Sequence, residues 1–397
     1  MTREAIKLTV EELDRHAHAL FKQYRDVTPV IERDDGTYLV IRPSAVELLT
    51  ADPRTRQPET ELASLRGLTT GAIFEFFKNT MLFSNGTDHR RRRASMMKPF
   101  AYKLISDLRP RVRAVANSLI DGFEADGEVD LLERYGSPLP AQIISEILGL
   151  PKADVPRFTQ WVYSMSRGIS SLYRPEMHDE VSRDAEELKA YVVQLLESRR
   201  SAPQGDFLST YVEGLGEDNA LSAAEAINQV ISIIIGGSDT TRLALVIQAA
   251  LLLEHEEQWR AVCEDPALIP GAVSEALRYE PSVASFPRVL LDDIEVDGLV
   301  LKRFKLAFLS TMAVMRDPAV YANPETFDIR RTDHPRKHIV FGNGVHRCIG
   351  EVLARIELEE GLAALAERLP GMRRVGPTLN VRGHVALRRA EGLRVKW

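Results

Sequence analysis

The stretch Phe341-Gly342-Asn343-Gly344-Val345-His346-Arg347-Cys348-Ile349-Gly350 decides how the rest of this chain is read. A cysteine sits in a glycine-rich turn, and the pattern from Glu351 to Glu367 predicts a helix directly behind it. The free amides and positive end of a helix N-terminus both favour a thiolate. Gly342, Gly344 and Gly350 predict a tightly folded backbone that a flat, bulky ligand can approach closely. A sulfur so placed is suited to bind a metal, while neighbouring amides moderate the charge it donates. The competing reading is a buried structural cysteine beside a turn.

The chain has 397 residues, 44% hydrophobic and 27% charged, the composition of an ordinary soluble globular protein. No Pro/Gly/Ser-rich linker, low-complexity tract or repeat interrupts it, which predicts one large, mostly helical domain over residues 1–397. Met1 to Leu20 mixes charges throughout and predicts neither a signal peptide nor a membrane anchor. Cys263 and Cys348 are the only cysteines, too few for a disulfide framework, which points to the reducing cytoplasm. Cys263 reads as inert packing. A net charge of −6 argues against a chain built to coat nucleic acid. The run His89-Arg90-Arg91-Arg92-Arg93 is the local exception.

Residues 11–26 predict an amphipathic helix, and residues 28–42 a hairpin turning at Asp34-Asp35-Gly36. Helical patterns dominate from about residue 89 to 280, punctuated by prolines. Short β-like pieces follow at Val289–Val296 and Lys305–Leu309, then a helix over 349–368 and a tail with short strands. The fold class is therefore mainly α with small peripheral β-sheets; no βαβ alternation supports a doubly wound sheet.

The strongest helix runs from Ser222 to Glu254, opened by a Ser222/Glu225 capping box and apolar nearly all round at Ile231, Ile233, Ile234 and Ile235. It is interrupted by Gly236-Gly237-Ser238-Asp239-Thr240-Thr241-Arg242. Two helix-interior glycines cost about 1 kcal/mol each relative to alanine, and a buried Asp costs more unless paired. Glycine there lets a ligand press on the helix backbone, and Asp and Thr can locally widen the hydrogen-bond ladder and hold water. The glycines follow a helix and lack the Gly-Lys-Ser/Thr pattern, so this is no phosphate loop. A plain helix kink is the alternative. Glu275 and Arg278, three apart, share one helix face.

Together these motifs resemble those of the cytochrome P450 family: the Phe-Gly-x-Gly-x-His-x-Cys-x-Gly haem loop, the Gly-Gly-x-Asp-Thr-Thr oxygen-activation motif and the Glu-x-x-Arg pair. The resemblance implies the P450 fold, haem b as cofactor and Cys348 as its iron ligand. It implies that Thr240 donates a hydrogen bond to the activated oxygen and that Asp239 relays protons. Gly236 would admit the ring to the helix, and Phe341, Gly342 and Gly350 would shape the thiolate loop. Glu275 and Arg278 would be structural. The family's third basic residue is replaced by Thr326 in Pro324-Glu325-Thr326-Phe327, and Arg330 is the candidate substitute. Arg288, His346 and the His89/Arg93 pair match positions that hold the haem propionates. Some of Arg90, Arg91 and Arg92, with Arg347, would then form a cationic patch for an acidic electron donor.

By the same resemblance, Phe74, Phe77 and Leu82 roof an apolar substrate pocket. Trp161, Met165 and Ile169 form a second wall, and Ile235, Val283 and Ala284 lie nearer the iron. The implied activity is monooxygenation of a small hydrophobic organic substrate with O2. The electrons would come from a separate iron–sulfur ferredoxin served by an NAD(P)H-dependent flavoprotein reductase, since no reductase segment follows the last helix. A peroxide-driven peroxygenase and a non-catalytic haem sensor are the rival readings.

Overall fold

The Asp34-Asp35-Gly36 turn closes the hairpin as read. Gly36 adopts φ 78°, and strands Val30–Arg33 and Tyr38–Val40 pair antiparallel with Ile31 opposite Leu39. Only a residue without a side chain enters that left-handed region freely. The computed structural model describes residues 4–100, 105–170, 173–216, 221–335 and 338–397. Backbone contacts divide the chain into two units, Met1–Gln57 with Val246–Cys348 and Pro370–Lys396, and Pro58–Leu245 with Ile349–Leu369 and Trp397.

In the first unit the hairpin enters a six-stranded mixed sheet. The order is Ile6–Leu8, Val30–Arg33, Tyr38–Val40, Leu306–Ser310, Ser285–Leu290 and Thr55–Arg56. Tyr38–Val40 runs parallel to Leu306–Ser310, with Leu39 beside Phe308. Val30, Val40, Ala307, Leu309 and Leu290 share a core with Ala45, Val46 and Leu49 of the Pro43–Ala51 helix. The predicted Val289–Val296 piece is two strands: Ser285–Leu290 in this sheet, and Ile294–Val296 in a separate hairpin with Leu299–Leu301. An Asp297-Gly298 turn at φ 49° and 83° makes that hairpin.

The Glu-x-x-Arg pair lies on the Ile269–Tyr279 helix, and both residues are fully buried. Arg278 Nε and Nη2 donate to the two Glu275 carboxylate oxygens at 2.7 and 2.8 Å. Its remaining N–H groups reach the carbonyls of Met315 (2.9 Å), Pro324 (2.8 Å) and Thr326 (3.0 Å). Every donor is thus used, as a buried guanidinium demands. The third basic member is Arg331, not Arg330. Arg331 Nε donates to Glu275 Oε2 at 3.1 Å, whereas Arg330 is exposed. Thr326 contributes its carbonyl rather than its side chain.

In the second unit the long helix, Ala223–Glu254, begins at the predicted capping box. Ser222 N donates to Glu225 Oε2 at 2.8 Å, and Glu225 N to Ser222 Oγ at 3.2 Å. Glu225 also binds Arg91 Nη1 at 2.9 Å and Arg92 Nε at 3.0 Å. Arg92 is buried and also donates to Lys78 O. The expected cationic patch is corrected accordingly: Arg92 cannot join a surface, and Arg91 is already paired. Those bonds tie the Gly86–Met97 helix to the start of the long one. Arg91 leads the hydrogen bonds that lower the Glu225 pKa from 4.5 to about 2.

A Cβ on Gly237 would lie 2.5 Å from the Ile144 side chain, so glycine here sets how closely the Pro138–Ile147 helix approaches. The Val155–Ile169 helix packs on His178–Ser201, with Gly168 against Val181. By length and composition Ala223–Glu254 could cross a membrane, but 78% of its apolar window is buried in the protein.

Two outcomes test this account. Arg331→Ala should lower the unfolding free energy by about 1.5–3 kcal/mol in urea titrations, the range for hydrogen bonds to charged groups. Arg330→Ala should stay within about 0.5 kcal/mol. Because the native Glu225 pKa is depressed, its contribution is full above pH 4.5 and is lost as pH falls toward about 2. Melting temperatures recorded across that interval should fall less steeply in Glu225→Gln than in the wild type.

Candidate functional site

The cysteine loop follows a short 3-10 turn, Ile339–Phe341. Gly342 (φ 78°) and Gly344 (φ 62°) hold left-handed backbone, which explains two of the three predicted glycines. Gly350 does not: at φ −89° it caps the Glu351–Arg368 helix in a conformation open to any residue. Cys348 N donates to Phe341 O at 2.7 Å, closing the loop on itself. The Arg347 guanidinium binds the loop's own carbonyls, Gly342 O at 3.0 Å and His338 O at 3.3 Å. It therefore acts first as a brace for the loop. Cys348 is exposed, an unusual state for a residue that normally buries itself. His346 is half-buried in the Gly344–His346 turn.

Arg288 stands in the middle of strand Ser285–Leu290, opposite Ala307, and is only 7% exposed. Among the described residues its guanidinium donates only to Pro287 O, at 3.3 Å, and burial pulls its pKa down. Among the described residues it has no carboxylate partner. A buried cation left in this state predicts an anion from outside the polypeptide. On the second unit, His89 is 2% exposed with Arg93 one helical turn on. Burial, then Arg93 and Arg90, push the His89 pKa down. A buried guanidinium at Arg288 that meets no acid among the described residues suits a carboxylate of a prosthetic group, and an exposed cysteine suits its metal. The donor set fits haem.

The break in the long helix lies within the second unit. Gly236 is exposed although its neighbours Ile233, Ile234 and Ile235 are buried, and a Cβ there would meet no atom within 4 Å. Thr240, on the same face one turn later, donates its hydroxyl to Gly236 O at 2.9 Å. Asp239 is 8% exposed, and both its oxygens are held. Arg242 Nη2 approaches Oδ1 at 2.5 Å, and Ser166 Oγ donates to Oδ2 at 2.7 Å.

The pocket candidates divide. Phe77 is fully buried, its ring centroid 4.5 Å from that of Phe83 and 6.2 Å from that of Phe76. Trp161 packs against Tyr191 with Arg157 over its ring, and Met165 is buried. Ile235 and Ala284 are buried, Phe74, Ile169 and Val283 half-buried, and Leu82 exposed. Val283 and Ala284 are tied to the tail: Val283 bridges Leu387, and Ala284 N donates to Ala386 O at 2.7 Å.

Sequence reasoning missed Ser166, Arg331 and Glu357. Glu357 is fully buried on the Glu351–Arg368 helix, and burial holds its pKa well above the usual carboxylate range despite the Thr241 hydroxyl. Its signal was an acid on the apolar face of a helix. Ser166 carried none, because its partner lies 73 residues away. Cys263 agrees with its inert reading, since burial pushes its thiol up to about 11.

The family model for cytochrome P450 matches residues 265–369. The chain is 42% identical over 387 residues to the plant-inducible cytochrome P450-pinF1 of Rhizobium radiobacter, covering 98% of this chain and 92% of that one. It is 33% identical to a mycinamicin IV hydroxylase/epoxidase of Micromonospora griseorubida, covering 75% and 74%. The structure of P450BioI in complex with an acyl carrier protein superposes with a TM-score of 0.87 at 26% identity, covering 98% of this chain and 100% of that one. Loop, buried donors, helix break and likeness agree: the chain belongs to the cytochrome P450 family, haem-b proteins with a cysteine thiolate ligand, and is a monooxygenase.

Proposed function

We propose that this monooxygenase oxidises a small hydrophobic organic substrate with O2. Its electrons arrive singly from a separate iron–sulfur ferredoxin, which an NAD(P)H-dependent flavoprotein reductase recharges. Cys348 is the thiolate ligand. Arg288, His346, His89 and Arg93 are the donors assigned to the haem carboxylates. Phe341, Gly342 and Gly350 shape the thiolate loop, and Gly236 opens the helix backbone to the ring. Residues 1–397 work as a single catalytic domain in the cytoplasm.

The observation that carries this reading is the acid beside a hydroxyl at a glycine-containing polar break of a buried helix. Haem, when bound, supplies the one-electron redox and oxygen chemistry that no side chain can. The chain supplies protons. Splitting O–O reductively takes two of them, delivered in order. Arg242, with 27% of its side chain exposed, reaches toward solvent; Asp239, at 10%, lies further in. Asp239 takes protons from water and hands them to Thr240, whose own donor is occupied by Gly236 O. Peroxide brings its own protons and would need no such pair, which favours O2 over a peroxygenase.

The substrate is apolar because the candidate walls are. Phe74, Phe77, Leu82, Trp161, Ile235, Val283 and Ala284 carry no charge. The relative named for mycinamicin IV hydroxylation and epoxidation supports an organic substrate of this kind.

Three outcomes test the assignment. Cys348→Ser, purified with haem, should lose the long-wavelength Soret band of the reduced, carbon-monoxide-treated protein; an unchanged band removes Cys348 as ligand. Gly236→Ala should leave the apoprotein at least as stable, since alanine is about 1 kcal/mol better in a helix, yet lower haem retention in a transfer assay. Thr240→Ala should consume NAD(P)H while releasing hydrogen peroxide. Equal product per electron in that variant, or faster turnover of the wild type with peroxide than with ferredoxin and oxygen, would defeat the proton-relay reading.

A further inference from the structure

Asp239 and Arg242 are close enough for the strongest pair these groups can form, yet they do not form it. A guanidinium and a carboxylate prefer two parallel hydrogen bonds. Here one forms, Arg242 Nη2 to Asp239 Oδ1 at 2.5 Å. Arg242 Nε is buried, with no acceptor among the described residues. The oxygen that would complete the fork, Asp239 Oδ2, is held instead by Ser166 Oγ at 2.7 Å. Ser166 is 2% exposed and comes from another helix, Val155–Ile169. The same helix presents Tyr163, whose ring lies 4.3 Å beneath the Arg242 guanidinium and whose hydroxyl is anchored on Ser137 O at 2.7 Å. Two residues three apart on one helix turn thus hold the pair from outside: Tyr163 fixes the plane of the cation and Ser166 takes the second oxygen.

We infer that Ser166 is a positioning residue that keeps the Asp239–Arg242 pair single-pronged, leaving one carboxylate oxygen outside the guanidinium's grip and open to a proton. This rests on the reading of Asp239 as proton relay. The chemistry is a proton transfer and balances without other reagents. A hydronium ion from solvent gives a proton to Asp239 Oδ2, forming the carboxylic acid and leaving water. That acid releases the proton toward Thr240, and the carboxylate returns to Arg242 and Ser166. A carboxylate gripped at both oxygens by a guanidinium is a weaker base, because each hydrogen bond to the charged form favours it. A hydroxyl differs from the guanidinium in carrying no charge and in rotating, so it can yield Oδ2 to a proton and accept from the acid that results.

Ser166→Ala removes the competitor. In the holoenzyme the Arg242 Nε–H resonance in 15N NMR should shift to that of a hydrogen-bonded guanidinium. With a plant-type ferredoxin and its reductase, maximal oxygen uptake should fall by about three- to tenfold and show a larger solvent deuterium effect, while KM for ferredoxin stays within about twofold. Ser166→Thr, which keeps the hydroxyl, should restore the wild-type behaviour. Ser166→Ala/Arg242→Lys should recover part of it, because an ammonium cannot make the fork. An unmoved Arg242 Nε resonance in Ser166→Ala, or a moved one with unchanged uptake and isotope effect, overturns the inference. Asp239→Asn separates the two readings. If it relays protons as well as the wild type, the relay reading fails; if it is impaired while Ser166→Ala is not, only the inference about Ser166 fails.

Discussion

The constraint on which the rest depends is a carboxylate placed inside an apolar helix. Asp239 sits in a helix buried along most of its length, where an unpaired charge would neutralise or unfold its surroundings. Its partners therefore had to come from nearby. One is on the same helix, Arg242, and one on a helix packed across it, Ser166. The glycines alongside follow from the same demand. Gly237 lets the Pro138–Ile147 helix press against the long one, and Gly236 leaves backbone uncovered beside Thr240. A helix tuned for stability alone would carry alanine and leucine in these places.

The cations of the chain sort by what they face. Arg278 has spent all its donors on one buried acid and three carbonyls, and Arg92 is committed to Glu225 and to backbone. These are structural because their charge is already answered within the protein. Arg288 is as buried as Arg92 and faces no acid among the described residues. Burial without an answering charge is the better marker of a ligand-binding cation than clustering in sequence. The run Arg90 to Arg93 shows why: one of its members is exposed, one is shared between Asp88 and Glu225, and one is buried.

What could be read from the chain alone was what depends on neighbours in sequence. The Ser222/Glu225 box, the hairpin at Asp34-Asp35-Gly36 and the Glu275/Arg278 fork span three or four residues each, so local geometry decides them. The cysteine loop was legible for the same reason, apart from Gly350, whose backbone needs no glycine. Arg331 was missed in favour of Arg330 because a one-residue choice in an irregular segment depends on the path of the loop. That path is set by Glu275, 56 positions earlier. Arg92 with Glu225 and Ser166 with Asp239 are separated by 133 and 73 residues. No periodicity carries such pairs; packing of helices creates them.

Glu225 shows how one residue can serve local and distant order at once. Its backbone N–H and side chain complete the N-terminal cap of the long helix, and its carboxylate receives Arg91 and Arg92 from the helix that bears His89. A capping carboxylate is already favoured by the helix dipole, so pairing it with two guanidinium groups costs little further desolvation. The Gly86–Met97 helix has little apolar surface with which to hold itself in place: only His89, Arg92 and Met96 are buried. Its position is therefore set by charge more than by packing. The orientation of His89 and Arg93 inherits the stiffness of the long helix through that link, in the same helix whose break carries Asp239 and Thr240. Anything that loosened Glu225 would be felt at His89 before it was felt in the hydrophobic core.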